Sequence, residues 1–269
     1  MTTASITAGD MLRQWRRRRH LSQLDLALEA DISQRHLSFI ESGRSAPSRD
    51  MVLRLAEQLA VPLRERNALL VAAGYAPAYR ERPLADPALK AARDAVDLVL
   101  AGQEPFPALA VDRYWNLVAA NRAVELLLTG IDPAMLAPPL NVLRLSLHPK
   151  GLAPRIANYR EWRAHILSRL SHQIDASSDP ALVALLAELK DYPAPPGAKP
   201  HRPSASRDFG GVVVPLLLAS DYGVLSFFST TTVFGTPVDI TLSELAIESF
   251  FPADDATSET MRRIATTRA

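Results

Sequence analysis

The chain has 269 residues, 48% of them hydrophobic and 22% charged, with no cysteine and a formal net charge of +1. That length and apolar content allow two domains with separate cores and exclude a chain disordered throughout; the missing cysteine excludes a disulfide framework and a thiolate metal site. The charge is uneven: residues 1–82 carry 13 Lys+Arg against 9 Asp+Glu, a net of +4, and the remainder nets −3, a basic head on an acidic body.

The opening MTTASITAGD lacks the basic-then-apolar pattern of a signal peptide. A first helix is predicted over Asp10–Arg19, with Leu12 and Trp15 inward. Ser22 is a good N-cap and Asp25, three residues on, can return a bond to it. Leu24, Ala27 and Leu28 then recur at helical spacing. Ser33 caps a third helix with Leu37 and Ile40 on its apolar face, and Gly43 ends it where left-handed geometry is cheapest. Ser48 caps a fourth helix with Met51, Leu55 and Leu59 inward, and a fifth follows Pro62 and stops at Gly74. Between the second and third helices the small Ala27, the turn residue Asp31 and the anchors Leu37 and Ile40 are spaced as a helix-turn-helix requires, leaving the outer face of the third helix free for a groove.

The stretch LSQLDLALEADISQRHLSFIESGRSAPSRDMVLRLAEQLAV resembles the lambda-repressor-like DNA-binding domain of the XRE family, over residues 8–75. Asp31 stands where that family usually has glycine, and Asp is among the few other residues that visit left-handed geometry. The resemblance implies double-stranded DNA as partner. It places Gln34, Arg35 and Phe39 toward base edges and Gln23, Ser42 and Arg44 toward phosphates, and it makes Arg16 and Glu41 an internal ion pair. The chemistry agrees: Gln and Arg can bond adenine and guanine bidentately, and helix N-termini favour phosphate oxygens. For Phe39, contact with a thymine methyl and simple packing both stay open. The run Arg16–Arg19 winds around its helix and reads as solvated charge with one internal pair.

YAPAYRERPLADP, with three prolines and few large aliphatics, reads as a linker over residues 76–87. A helix follows, with Leu89, Ala92, Val96, Val99 and Leu100 at helical spacing, fit to bridge domains or to pair with its own copy. PALAVDRYWNLVAANRAVELLLTG predicts two short strands and a helix Arg122–Leu128 capped by Asn121, with Trp115, Leu117 and Ala119 alternating on the second strand. The middle is helical, including a helix capped by Asp179 with Pro180 at its first position. A proline-rich loop precedes two strands, GGVVVPLLLAS and GVLSFFSTTTVFG, joined by a turn at SDYG. Sheet at both ends with helices between makes an α+β domain.

LAVDRYWNLVAANRA, NVLRLSLHP, NYREWRAHILSRL and DPALVALLAEL resemble the ligand-binding domain of MmyB-like transcription regulators, over residues 88–255. The fold expectation is therefore an all-α helix-turn-helix N-terminal domain plus an α+β PAS-like C-terminal domain, with 256–269 as a flexible tail. The resemblance implies a pocket between sheet and helices for a small apolar ligand, a fatty acid or similar. Tyr114, Trp115, Tyr159, Trp162, Phe227 and Phe228 are candidates to line it, against the plainer reading that they fill the core. Arg144, His148 and His165 are candidates to meet a carboxylate; for Arg144 an acidic neighbour or solvent is the competing reading.

No nucleophile elbow, Gly-rich phosphate loop or zinc-protease motif occurs, and the six histidines are dispersed. The expectation is a regulator without catalysis, metal or built-in cofactor. The longest apolar run, GVVVPLLLA from Gly211, is about half the roughly 20 residues a spanning helix needs. A cytoplasmic protein is expected, off the membrane, bound to DNA as a homodimer on two half-sites. The competing function is a C-terminal domain that binds protein partners and has no pocket.

Overall fold

The computed structural model describes residues 6–177, 179–198, 213–235, 237 and 239–268, and it divides into two units. The first holds five helices: α1 (Ala8–Arg18), α2 (Gln23–Glu29), α3 (Gln34–Glu41), α4 (Arg49–Gln58) and α5 (Leu63–Ala72). Each start except that of α5 is capped by a side chain. Ser22 Oγ accepts from Asp25 N at 3.1 Å while Asp25 takes the Ser22 N–H at 2.9 Å, and Thr7 and Asp10 do the same for α1. Ser33 and Ser48 accept from the third amide of α3 and α4, worth about 1 kcal/mol per cap. Leu12, Leu26, Leu37, Leu55 and Leu69 are fully buried in one core. Asp31 sits at φ 53° and Gly43 at φ 71°, so the left-handed turn between α2 and α3 is made without glycine. At Gly9 a side chain is excluded for another reason: a Cβ would lie 2.3 Å from the Ile40 carbonyl oxygen, so α1 crosses the end of α3 in direct backbone contact.

The first unit does not end at Gly74. Asn67 Oδ1 accepts from Ala78 N and Tyr79 N at 2.9 and 3.0 Å, and its amide donates to Tyr79 O at 2.7 Å. Much of the expected linker is thus bonded to α5, and residues up to Pro83 group with this unit. So does a stretch far along the chain, containing α11 (Ile240–Ser243). Ile240 N donates to Arg80 O at 2.9 Å, Thr241 Oγ1 donates to Arg82 O at 2.6 Å, and Ile240 is buried. No sequence pattern announced this return.

The second unit is built on a five-stranded antiparallel sheet in the order β2-β1-β5-β4-β3, from β1 (Ala108–Val111), β2 (Leu117–Ala120), β3 (Leu216–Ser220), β4 (Gly223–Val233) and β5 (Ala246–Pro252). β1 is buried on both faces. Ala108 and Ala110 pack under α6 (Lys90–Gly102), while Leu109 and Val111 face Val124 of α7 (Arg122–Leu128). Val99, expected inward on α6, is exposed; Val96 and Leu100 carry the contact. The helices α8 (Val142–Leu147), α9 (Tyr159–Ser177) and α10 (Pro180–Asp191) share a core with β3 and β4. Asp179 caps α10 through Ala181 N at 2.9 Å.

Several expectations need correction. Asn121 precedes α7 but does not cap it: its amide bonds Leu100 O and Phe106 O and its oxygen takes Ala108 N, because a buried polar side chain here can satisfy three backbone groups at once. Trp115 lies before β2, in a turn where Asp112 Oδ1 accepts from Tyr114 N and Asn116 N, and its φ of 67° is rare for so bulky a residue. The flexible tail expected over 256–269 is instead, in residues 256–268, part of α12 (Asp255–Arg268), with Met261 and Ile264 buried. The beginning of the predicted strand GGVVVPLLLAS and part of the proline-rich loop lie outside the described residues.

Candidate functional site

α3 presents an exposed polar face. Gln34, Arg35 and His36 are exposed in its first turn, while Leu37 and Ile40 are held in the core. Phe39 is half-buried and acts as a platform: the guanidinium carbon of Arg35 stands 5.3 Å over its ring and that of Arg44 stands 6.0 Å from it. Such stacking limits the conformations of both arginines. The end of α3 is tied by Phe39 O, which accepts from Arg44 N at 2.9 Å and from Ser42 Oγ at 3.2 Å. The six residues expected at DNA thus lie along α3, its exit and the start of α2.

What fixes this face is a buried polar cluster around Glu41, whose side chain is 1% exposed. Arg16 of α1 grips it with two donors, Nε at 2.6 Å and Nη2 at 2.8 Å, and Gln23 of α2 adds its amide at 2.8 Å. Arg13 donates to the Glu41 carbonyl oxygen. Burial pushes the Glu41 carboxyl up, but the bonds from Arg16 and Gln23, with the charges of Arg16 and Arg13, outweigh it and hold it below the usual glutamate value. Three helices therefore meet on one carboxylate. Gln23 commits one amide hydrogen to this cluster.

In the second unit an apolar chamber of about 90 Å³ lies between the sheet and the helices. Leu109 and Phe250 form its sheet side, Leu127 and Val142 its helix side, and Trp115 and Trp162 also line it. Its polar end is Arg169 against buried Glu248: Nη1 at 3.3 Å and Nη2 closer still, with Thr231 Oγ1 donating to Glu248 at 2.6 Å and accepting from Arg169 at 2.9 Å. Arg169 also stands 5.0 Å over the Trp115 ring, and Trp115 Nε1 donates to Gln173 at 2.8 Å.

Of the expected lining residues, only Trp115 and Trp162 reach the chamber. Tyr159 and Phe227 are fully buried core, and Tyr159 donates its hydroxyl to Leu147 O at 3.2 Å. Phe228 stacks on Phe251 at 5.4 Å and Tyr114 lies under the Arg113 guanidinium. The expected cations are elsewhere too. Arg144 is bidentate to Glu188 at 2.8 Å, and His148 packs edge-on to Tyr192 while its Nδ1 accepts from Lys150 N. His165, beside Trp162, is held below the ordinary 6.5 by burial and then by the charge of Arg169, with Glu248 opposing, so at pH 7 it is neutral. The cation at the chamber is Arg169, which sequence reasoning missed although Trp162, Ile166 and Arg169 follow helical spacing along α9.

A second cleft, of about 450 Å³, opens between the end of α7, the β3–β4 turn and α12. Leu127 lines both spaces. Among the described residues no three His, Asp or Glu side chains are grouped to hold a metal ion, and no helix is long and apolar enough to cross a membrane.

Two family profiles match the chain. That of the helix-turn-helix covers residues 12–66, and that described as the MmyB-like transcription regulator ligand binding domain covers residues 92–264. No curated protein sequence matches it. A structural likeness to the clp gene regulator ClgR from Corynebacterium glutamicum spans 36% of this chain and 90% of that one at 23% identity, with a TM-score of 0.22, too low to support any argument. With a helix-turn-helix ahead of a matched domain that takes up more than half its length, the chain belongs to the MmyB-like transcription regulators, DNA-binding proteins with a small-molecule-binding domain.

Proposed function

We propose that α3 reads an operator through Gln34 and Arg35, with Arg44, Ser42 and the start of α2 at Gln23 on the phosphates, and with Phe39 aligning the two arginines. The observation that carries this reading is the pairing of an exposed polar first turn with the Glu41 cluster, which ties the other end of the same helix to α1 and α2. The protein acts in the cytoplasm as a homodimer, two recognition helices meeting half-sites about one helical turn apart, and it catalyses nothing. Arg35→Ala should weaken operator binding by about 1–3 kcal/mol with the fold intact. Unchanged affinity in a mobility-shift titration would remove Arg35 from base recognition.

We further propose that the C-terminal domain answers to a fatty-acid-like effector. The supporting observation is an apolar chamber lined by two tryptophans in a domain with a small-molecule-binding family profile. The effector changes operator occupancy only to the extent that it binds one state of the dimer better than the other. The small size of the chamber favours a second reading, in which this domain binds protein partners. Native mass spectrometry after gentle purification separates them. A co-purified apolar mass supports the effector; its absence, with no thermal shift across a panel of fatty acids, supports the protein-interaction reading.

A further inference from the structure

An effector with an acyl chain faces two difficulties in the chamber. The chamber, about 90 Å³, is small beside the 450 Å³ cleft, and a long acyl chain with its head group needs more room than it offers alone. The cation at its polar end is also already matched, since Arg169 is paired with buried Glu248 and a second carboxylate there would meet that negative charge. Both difficulties disappear if the chamber is only the far end of the site. Leu127 of α7, 6% exposed, is a wall of the chamber and also of the 450 Å³ cleft. Leu127 is thus where the two spaces come together.

The cleft offers what the chamber lacks. Leu225, Met261 and Ile264 give it apolar walls, and Arg155 lies at its side. Arg155 Nε donates to Ala219 O at 3.1 Å, and Nη1 donates to Leu127 O and Thr129 O, each at 2.9 Å. All three acceptors are neutral. Arg113, Arg144 and Arg169, by contrast, each hold a carboxylate within 4 Å. Burial pulls the Arg155 guanidinium below its usual value, and Asp221 on the rim compensates in part from beyond ion-pair distance. Among the described residues Nη2 has no bonded partner, so its two hydrogens are available for a contact with an anion.

We propose that the cleft is the head-group site of an amphiphilic carboxylate, held by Arg155 Nη2, whose chain passes Leu127 into the tryptophan-walled chamber. Capture and passage are linked through one residue, because Arg155 holds the carbonyl of Leu127, the residue that lines both spaces. This rests on the effector reading above and adds the place and the group that hold the effector's head.

Decanoate and the uncharged decanol, titrated calorimetrically into the full-length protein, test it. Decanoate should bind more tightly than decanol, and Arg155→Gln should weaken decanoate by roughly 10- to 100-fold, the loss of a charge-assisted bond, while leaving decanol unchanged. Because Arg155 also braces three carbonyls, Ile264→Trp provides an independent arm: it fills the cleft without touching those bonds and should also weaken decanoate at least about tenfold. Decanoate binding that resists Ile264→Trp, or resists Arg155→Gln in a folded variant, overturns the head-group site and leaves an apolar effector standing. Binding of neither probe to the unaltered protein overturns both.

Discussion

Replacing Glu41 by glutamine tests how the recognition face is held. The amide keeps one acceptor but loses the charge, and its NH₂ must face donors of Arg16 or Gln23. Breaking a buried ion pair by removing one partner costs about 3–5 kcal/mol. Arg16 retains 10% side-chain exposure and a 2.9 Å bond from Nη1 to Leu21 O, which argues for the low end, about 3 kcal/mol. That is roughly two decades in an opening equilibrium. Native-state hydrogen exchange on the full chain should show α1, α2 and α3 amides exchanging about 100-fold faster, with β4 and β5 unchanged. Acid supplies the matching control. The carboxyl is held below its ordinary 4.5, so its contribution is complete above that pH and is lost as pH falls through the lower folded value. Glu41→Gln should flatten this acid dependence. Exchange in α1–α3 within about threefold of the unaltered protein would refute the idea that this cluster fastens the face.

Asp31→Gly should stabilise the first unit by about 0.5 kcal/mol, since φ 53° strains an L-residue more than glycine; urea midpoints measure it. His165 is held below 6.5, so stability is full above that pH and declines as pH falls toward the folded value. Unfolding at pH 7.5 and 5.5 should show that decline in the native chain and a smaller one in His165→Gln. Arg144→Ala breaks a pair whose side chains are 43% and 37% exposed; it should cost under about 1 kcal/mol and leave decanoate affinity unchanged in calorimetry.

What could be read from the sequence was local. Ser22 with Asp25, Ser33, and Asp179 with Pro180 mark helix starts through bonds spanning two or three residues, so the text itself contains them. The Arg16–Glu41 pair was legible only through family resemblance, since it links residues 25 apart. The chamber was harder. Aromatic side chains fill a core as readily as they line a cavity, and Tyr159 and Phe227 did the first while Trp115 and Trp162 did the second. Arg169 and Glu248, 79 residues apart, meet because the fold brings α9 over β5, and neither position alone marks the other. Asn121 shows the converse: its position before a helix is right for a cap, yet long-range backbone groups claim its side chain.

The return of residues 239–243 to the first unit bears on how such a regulator can be recombined. The backbone passes between the units three times, after Pro83, before the α11 stretch and after Ser243. A chimera joined at residue 83 would carry the recognition helices away from α11, leaving the Arg80 and Arg82 carbonyls without their Ile240 and Thr241 donors. If the proposed base contacts hold, exchange of DNA specificity between relatives is therefore better done by rewriting positions 34 and 35 within one chain than by splicing heads onto bodies. Where heads are spliced, the strand connection through α11 has to travel with them.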